Sequence, residues 1–206
     1  MCPGDYVTFE LGAKLLGQGR MTALGLDNKA GLFVALEALR NCARLQPQVA
    51  IFVVSTVQEE VGLRGASTAA SKLCPDIPLA IDVTLATDDP GNAESTSVPC
   101  LLGQGPCISH GPNTNRAVEK LLIESAQRES IRYQPAPSGK LEGNDSKELQ
   151  VADDGVATAS LSIPEQKMHT QADVIDLEDL SAAIRLTKQF LMSVSKEQEL
   201  RPFYAD

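Results

Sequence analysis

Three short apolar runs, at 49–56, 79–86 and 156–163, constrain this chain more than any other feature. The first, Val-Ala-Ile-Phe-Val-Val-Ser-Thr, has strand length and carries β-branched residues on both of its faces. Such a strand must be covered above and below, which is the habit of parallel sheets flanked by helices. Helical spacing supplies the cover. Leu32, Ala35, Leu36, Leu39 and Ala43 recur at helical intervals over 28–45, and Val118, Leu121, Leu122 and Ala126 do so in a helix ending near Glu129. Helices are also predicted over 65–73, 147–153 and 177–194, with Asp176 as the N-cap of the last. Residues 6–10 and 131–133 read as further short strands, and 87–115 as loop. Strands alternating with helices predict an α/β fold with a mostly parallel central sheet between helical layers. Sheets of that kind gather ligands at the carboxyl ends of their strands.

Composition narrows the function. The chain has 206 residues, 43% of them hydrophobic, which suffices for one well-buried core and a single domain. Eighteen Lys and Arg face 27 Asp and Glu, a net charge of −9 that argues against nucleic acid as a partner. An excess of carboxylates suits cations instead. The five cysteines are odd in number and irregularly spaced, with no Cys-x-x-Cys pair, so neither a disulfide framework nor a thiolate zinc site is expected. That usage, with no signal-peptide pattern after Met1 and no run long enough to span a bilayer, reads as a cytoplasmic, non-membrane protein. Phosphate-loop, dinucleotide and nucleophile-elbow motifs are all missing.

Four acidic or imidazole features lie where packing alone would avoid charge. Asp82 interrupts an apolar strand between Ile81 and Val83, and Glu59 and Glu60 follow the run at 49–56. Asp27 directly precedes a helix, and His169 lies just past the run at 156–163. Each also has an ordinary reading. Asp27 can cap its helix, an adjacent Glu pair can be a solvated turn, a lone His can be structural, and Asp82 can be satisfied by hydrogen bonds. Together, at strand ends of an α/β chain, their joint occurrence is far less expected by chance than any one of them alone.

Asp27-Asn-Lys-Ala-Gly31, Val57-Gln-Glu-Glu-Val-Gly62 with Leu63-Arg-Gly-Ala66, Ala80-Ile-Asp-Val-Thr84 and Lys167-Met-His-Thr170 resemble, in order, the M42 family of metallo-aminopeptidases. The family includes the glutamyl aminopeptidases and the tetrahedral peptidases. The resemblance implies a zinc-peptidase-like three-layer catalytic domain spanning 1–206, with residues 1–20 a remnant of the return from an inserted dimerisation domain. It implies Asp27 as a bridge between two divalent cations, zinc or cobalt, with Glu60 and His169 completing one site and Asp82 in the other. Glu59 is implied as general base. Peptide substrates and homo-oligomers follow from the same likeness, and substrate-binding residues remain unassigned. The family's His-x-Asp segment and dimerisation domain have no counterpart here, and Asn144 and Ser146 depart from its Gly-Thr-Asp-Ala loop. The expectation is a chain with one complete cation site and a second lacking a histidine, a fragment of a longer protein among the explanations. The alternatives are an impaired relative that binds peptides or assembles, and a deacylase-type amide hydrolase.

Overall fold

The computed structural model describes residues 2–6, 12–89 and 98–201. Its elements run β1 (Lys14–Leu15), β2 (Arg20–Ala23), α1 (Leu26–Cys42), α2 (Arg64–Leu73), β3 (Leu79–Leu85), β4 (Cys107–His110), α3 (Arg116–Arg128), β5 (Gln134–Pro137), α4 (Ser146–Leu149), β6 (Ala159–Gln166), β7 (Asp173–Asp176) and α5 (Leu177–Ser193). The fold is α/β, as expected, but the sheet is not mostly parallel. Only β3 with β6 and β4 with β5 run parallel, whereas β1–β2, β2–β7, β4–β6 and β6–β7 are antiparallel. The physical reason lies in the connections. Antiparallel neighbours need only a short turn, and 167–172 joins β6 to β7 in just that way.

β6 is the hub of the sheet. It runs beside β3 from Leu79↔Ala159 to Leu85↔Glu165, meets β4 at Ile108↔Leu161, and gives its last residues to β7. Leu161, Ile163 and Ile175 are fully buried under α1 and α5, where Val34, Leu186 and Phe190 close the core. α3 adds Val118, Leu122 and Ala126 to the same cluster.

Several sequence expectations shift. The run at 49–56 forms no strand, and among the described residues nothing pairs with it. Phe52 and Val54 are exposed, so this stretch is not the doubly buried strand its residues suggested. The run at 79–86 does form a strand, yet a half-buried one with Leu85 exposed. The strand expected at 131–133 begins at Gln134, and the loop expected over 87–115 contains β4. The other predicted helices stand, though the short one is confined to Ser146–Leu149. In α1 the buried face is Ala30, Gly31, Val34, Ala38 and Cys42, whereas Leu36 is exposed. α1 is apolar nearly all round, and close approach to β3 selects its small residues. Of the strand expected at 6–10, residues 7–10 lie outside the described residues.

Candidate metal centre

The first turn of α1 is unusual from its opening residue. Gly25 precedes it in the left-handed region at φ 69°, and no side chain from the cap position bonds to the helix. Capping comes from β7 instead, where Asp173 Oδ2 accepts from the Gly25 and Leu26 amides at 3.0 and 3.1 Å. A carboxylate there complements the helix dipole and satisfies its free N–H groups. Asp27 is thereby released from the capping role. Its backbone is non-helical, at φ −77° and ψ 105°, and the peptide linking it to Asn28 is cis. Asn28 fastens the turn to β3 by donating from Nδ2 to the Ile81 carbonyl at 2.8 Å, while its Oδ1 accepts from the Gly31 amide. A methyl group at Gly31 would collide with that carbonyl and with Asn28, so only glycine lets α1 lie this close to the strand carrying Asp82.

Glu59 and Glu60 sit in the turn that leads into α2. Glu59 O accepts from the Gly62 and Leu63 amides, and Val57 O accepts from Gly65 N–H. Gly65 packs so tightly against the Val57 backbone that a β-carbon would not fit. His169 occupies the turn between β6 and β7, in the left-handed region at φ 62°. Lys167 anchors that turn through Asp89, 2.6 Å away and almost fully buried.

These three segments bring Asp27, Glu60 and His169 together, with one ligand atom of each within 4.8 Å of the others. His169 Nε2 lies 3.1 Å from Asp27 Oδ2 and 3.6 Å from Glu60 Oε2. The cluster opens to solvent, since the His169 side chain is 62% exposed and that of Asp27 only 13%. Asp82 does not join this group. It lies in mid-strand, with Oδ1 accepting from the Val83 amide at 2.9 Å, near enough for the charges of Asp27 and Glu59 to act on it. Glu59 stands beside the cluster, half-buried.

Electrostatics describes the same arrangement. Burial, then repulsion from Glu60, raises the Asp27 carboxyl above its ordinary range, and His169 partly offsets this. Burial and the charges of Glu60, Asp145 and Asp27 push Glu59 up to about 7. Asp82 reaches about 7 as well, mainly through burial and despite its bond from Val83. Carboxylates gathered this closely are penalised unless a cation is present, and a dication reverses the sign of the local field. One imidazole and two carboxylates form a donor set that suits a borderline divalent ion. The residues present therefore fit a metal.

Three further acidic residues of this region are not among the expected site residues. Asp173 is the true cap of α1. Asp145 accepts from Thr56 Oγ1 at 2.7 Å and thereby ties the Glu59 segment to α4, while its other oxygen is buried without a partner. Glu165 is fully buried in β6, with neither carboxyl oxygen hydrogen-bonded, and burial with the nearby Asp173 charge lifts it to about 9. Like Asp82, Glu165 is a carboxylate within an apolar strand, but it lies beyond Ile163, where the apolar run in the sequence ends. The other histidine, His110, is half-exposed and bound, with Nδ1 2.6 Å from the buried Glu119.

Comparison with known proteins shows what the chain is similar to as a whole. The family model described as M42 glutamyl aminopeptidase matches residues 1–186. A lysyl aminopeptidase from Pyrococcus furiosus is 36% identical over 91% of this chain and 51% of its own length. An aminopeptidase structure from the archaeon Desulfurococcus kamchatkensis superposes with a TM-score of 0.83 at 36% identity, over 92% of this chain and 54% of that one. The TET aminopeptidase of a marine-sediment Thaumarchaeota archaeon gives 0.81 at 26% identity, over 91% and 54%. The chain thus spans about half the length of the relatives it matches. From the match of the family model over residues 1–186 and the 36% identity to the lysyl aminopeptidase, the chain belongs to the M42 peptidase family.

Proposed function

We propose that this chain carries the catalytic centre of a metal-dependent aminopeptidase, which removes residues from the free N-terminus of peptides. The observation that carries the reading is the convergence of Asp27, Glu60 and His169 within 4.8 Å, with Glu59 beside them. Those three residues would hold a divalent ion, zinc or cobalt, and Asp27, the most buried of them, is suited to bridge towards Asp82. When bound, such an ion supplies Lewis acidity to the scissile carbonyl and to water. Glu59 is the general base: its half-buried carboxylate, beside the three-residue group, takes a proton from water and returns it to the departing amine nitrogen. His169 and Glu60 hold their geometry through the turns at 167–170 and 57–65, each closed by its own backbone hydrogen bonds.

Glu59→Gln is expected to lower turnover of aminoacyl-arylamides at least about a hundredfold while metal content stays unchanged. Loss of metal together with activity would make Glu59 a ligand. Unchanged activity would end the reading. Metal content is measured by elemental analysis of the same samples. Acylated amino acids assayed beside free-amine substrates separate an aminopeptidase from a deacylase.

The position of Asp82 favours a second reading, a centre with a single ion or an impaired relative that binds peptides. Asp82 stands outside the three-residue group, and the other histidine, His110, is committed to Glu119. A stoichiometry of one tightly bound ion per chain supports this reading, and two supports a paired centre.

A further inference from the structure

Cys100 and Cys107 lie with their sulfur atoms 3.1 Å apart, in contact but not bonded. Cys107 is a buried residue of β4, 1% exposed, opposite Gln134 on one side and Ser162 on the other. Cys100 is half-buried at the head of the loop that leads into β4. The loop between them is stitched down along its length. Gln134 Oε1 accepts from the Leu101 amide, and Gln134 Nε2 donates to the carbonyls of Leu101 and Gly105. Asp179, at the start of α5, accepts from the amides of Gly103 and Gly105 at 2.7 and 2.6 Å. Both sulfurs are therefore presented on fixed backbone. A disulfide bond of about 2.05 Å needs them to close by only about 1 Å.

We propose that Cys100 and Cys107 are a redox-modification site that closes to a reversible disulfide when the protein meets a hydroperoxide. Cys100, the more accessible, reacts first. Its thiol gives up a proton and the thiolate attacks a peroxide oxygen: an S–O bond forms, the O–O bond breaks, and the leaving oxygen takes up that proton and departs as alcohol or water. The Cys107 sulfur then displaces the sulfenic oxygen: the S–S bond forms, the S–O bond breaks, and the Cys107 proton departs with it as water. Two thiols lose two electrons and the hydroperoxide gains them. The other cysteines have no such neighbour: Cys42 is buried against the Lys188 carbonyl, and Cys2 and Cys74 are exposed singly.

The link would fix a latch close to the metal centre. Thr87 donates from its amide and its hydroxyl to the Cys100 carbonyl and accepts from the Cys100 amide, which binds this loop just beyond β3. Two residues further on, Asp89 holds Lys167 in the turn that presents His169.

The test exposes the reduced full chain to a small excess of hydrogen peroxide, removes the peroxide, unfolds the chain in denaturant with excess alkylating agent so that the buried Cys107 and Cys42 are reached, and maps every cysteine by mass spectrometry. The expected product is about 2 Da lighter, with Cys100 and Cys107 both protected from alkylation until a dithiol reductant is added. The protection should appear at least about tenfold faster than any loss of the Cys2 or Cys74 thiols, because the partners are already in place. In Cys100→Ser, Cys107 should remain alkylatable throughout. The proposal is overturned if Cys100 runs on to sulfinic acid while Cys107 stays free. It is equally overturned if oxidation goes to Cys2 and Cys74 and leaves this pair reduced. The outcome does not depend on peptidase activity.

Discussion

Glu165 and Asp27 show how differently buried carboxyls are treated within one site. Asp27 faces His169 and solvent, whereas Glu165 is sealed in the sheet with both oxygens unpartnered. With its pKa lifted to about 9 from an ordinary 4.5, Glu165 keeps its proton in the folded state at pH values where the unfolded chain has lost it. Its contribution to stability is thus fully present below about pH 4.5 and is lost as pH rises towards 9. Glu165→Gln removes the titration. Urea unfolding at about pH 5 and pH 9 should show the stability difference between variant and wild type moving in the variant's favour by about 1–3 kcal/mol at the higher pH. A difference independent of pH would show that the carboxyl finds a partner. At this scale the sequence was legible wherever a charge interrupts an apolar pattern, as at Asp82. It was silent on Asp173 and Asp145, because capping and cross-element bonds depend on neighbours 148 and 89 positions away in the chain.

Among the elements, α1 matters most to the site because its first turn carries Asp27 and its small face rests on β3. Gly31→Ala would drive a methyl group into the Ile81 carbonyl and the Asn28 amide. Overpacking of this kind costs about 1–3 kcal/mol, and the strand involved is the one that bears Asp82. Thermal unfolding should register the loss, and metal titration should show weakened binding as Asp27 moves. Retained affinity with lowered stability would mean that the turn repacks without disturbing the carboxylate. The helices were largely readable, since spacing and the Asp176 cap are local signals, and the Asp176 side chain does accept from the Glu178 amide at 2.8 Å. Strand direction was not. Apolar runs announce burial, but whether neighbours run parallel depends on connections such as the turn at 167–172, and the short strands β1, β2 and β7 carry too few apolar residues to stand out.

On the scale of the whole molecule, a net charge of −9 and a cluster of raised carboxyls link cation binding to protons. The carboxyl of Asp27 is raised, and Asp82 and Glu59 beside it reach about 7, so protons compete with a cation there and affinity for zinc or cobalt should fall as pH drops. Calorimetric titration is expected to show at least about a tenfold weaker dissociation constant near pH 6 than near pH 8. Saturation at about a hundred times the dissociation constant should stabilise the fold by about 2.7 kcal/mol, which a shift of the unfolding midpoint would report. No helix among the described residues is long and apolar enough to cross a membrane. The stretch at 49–56 gives this chain an asymmetry. β6 has neighbours on both edges, yet the backbone that delivers Glu59 and Glu60 reaches them without a sheet partner, steadied by Thr56 on Asp145 and by Gly65 on Val57. The two glutamates are thus carried outside the sheet, while Asp27 and His169 are placed by elements that rest on it or join it, so an arriving ion would add a tie between the two sides. Deuterium uptake should accordingly slow at 57–60 on loading and change little along β6.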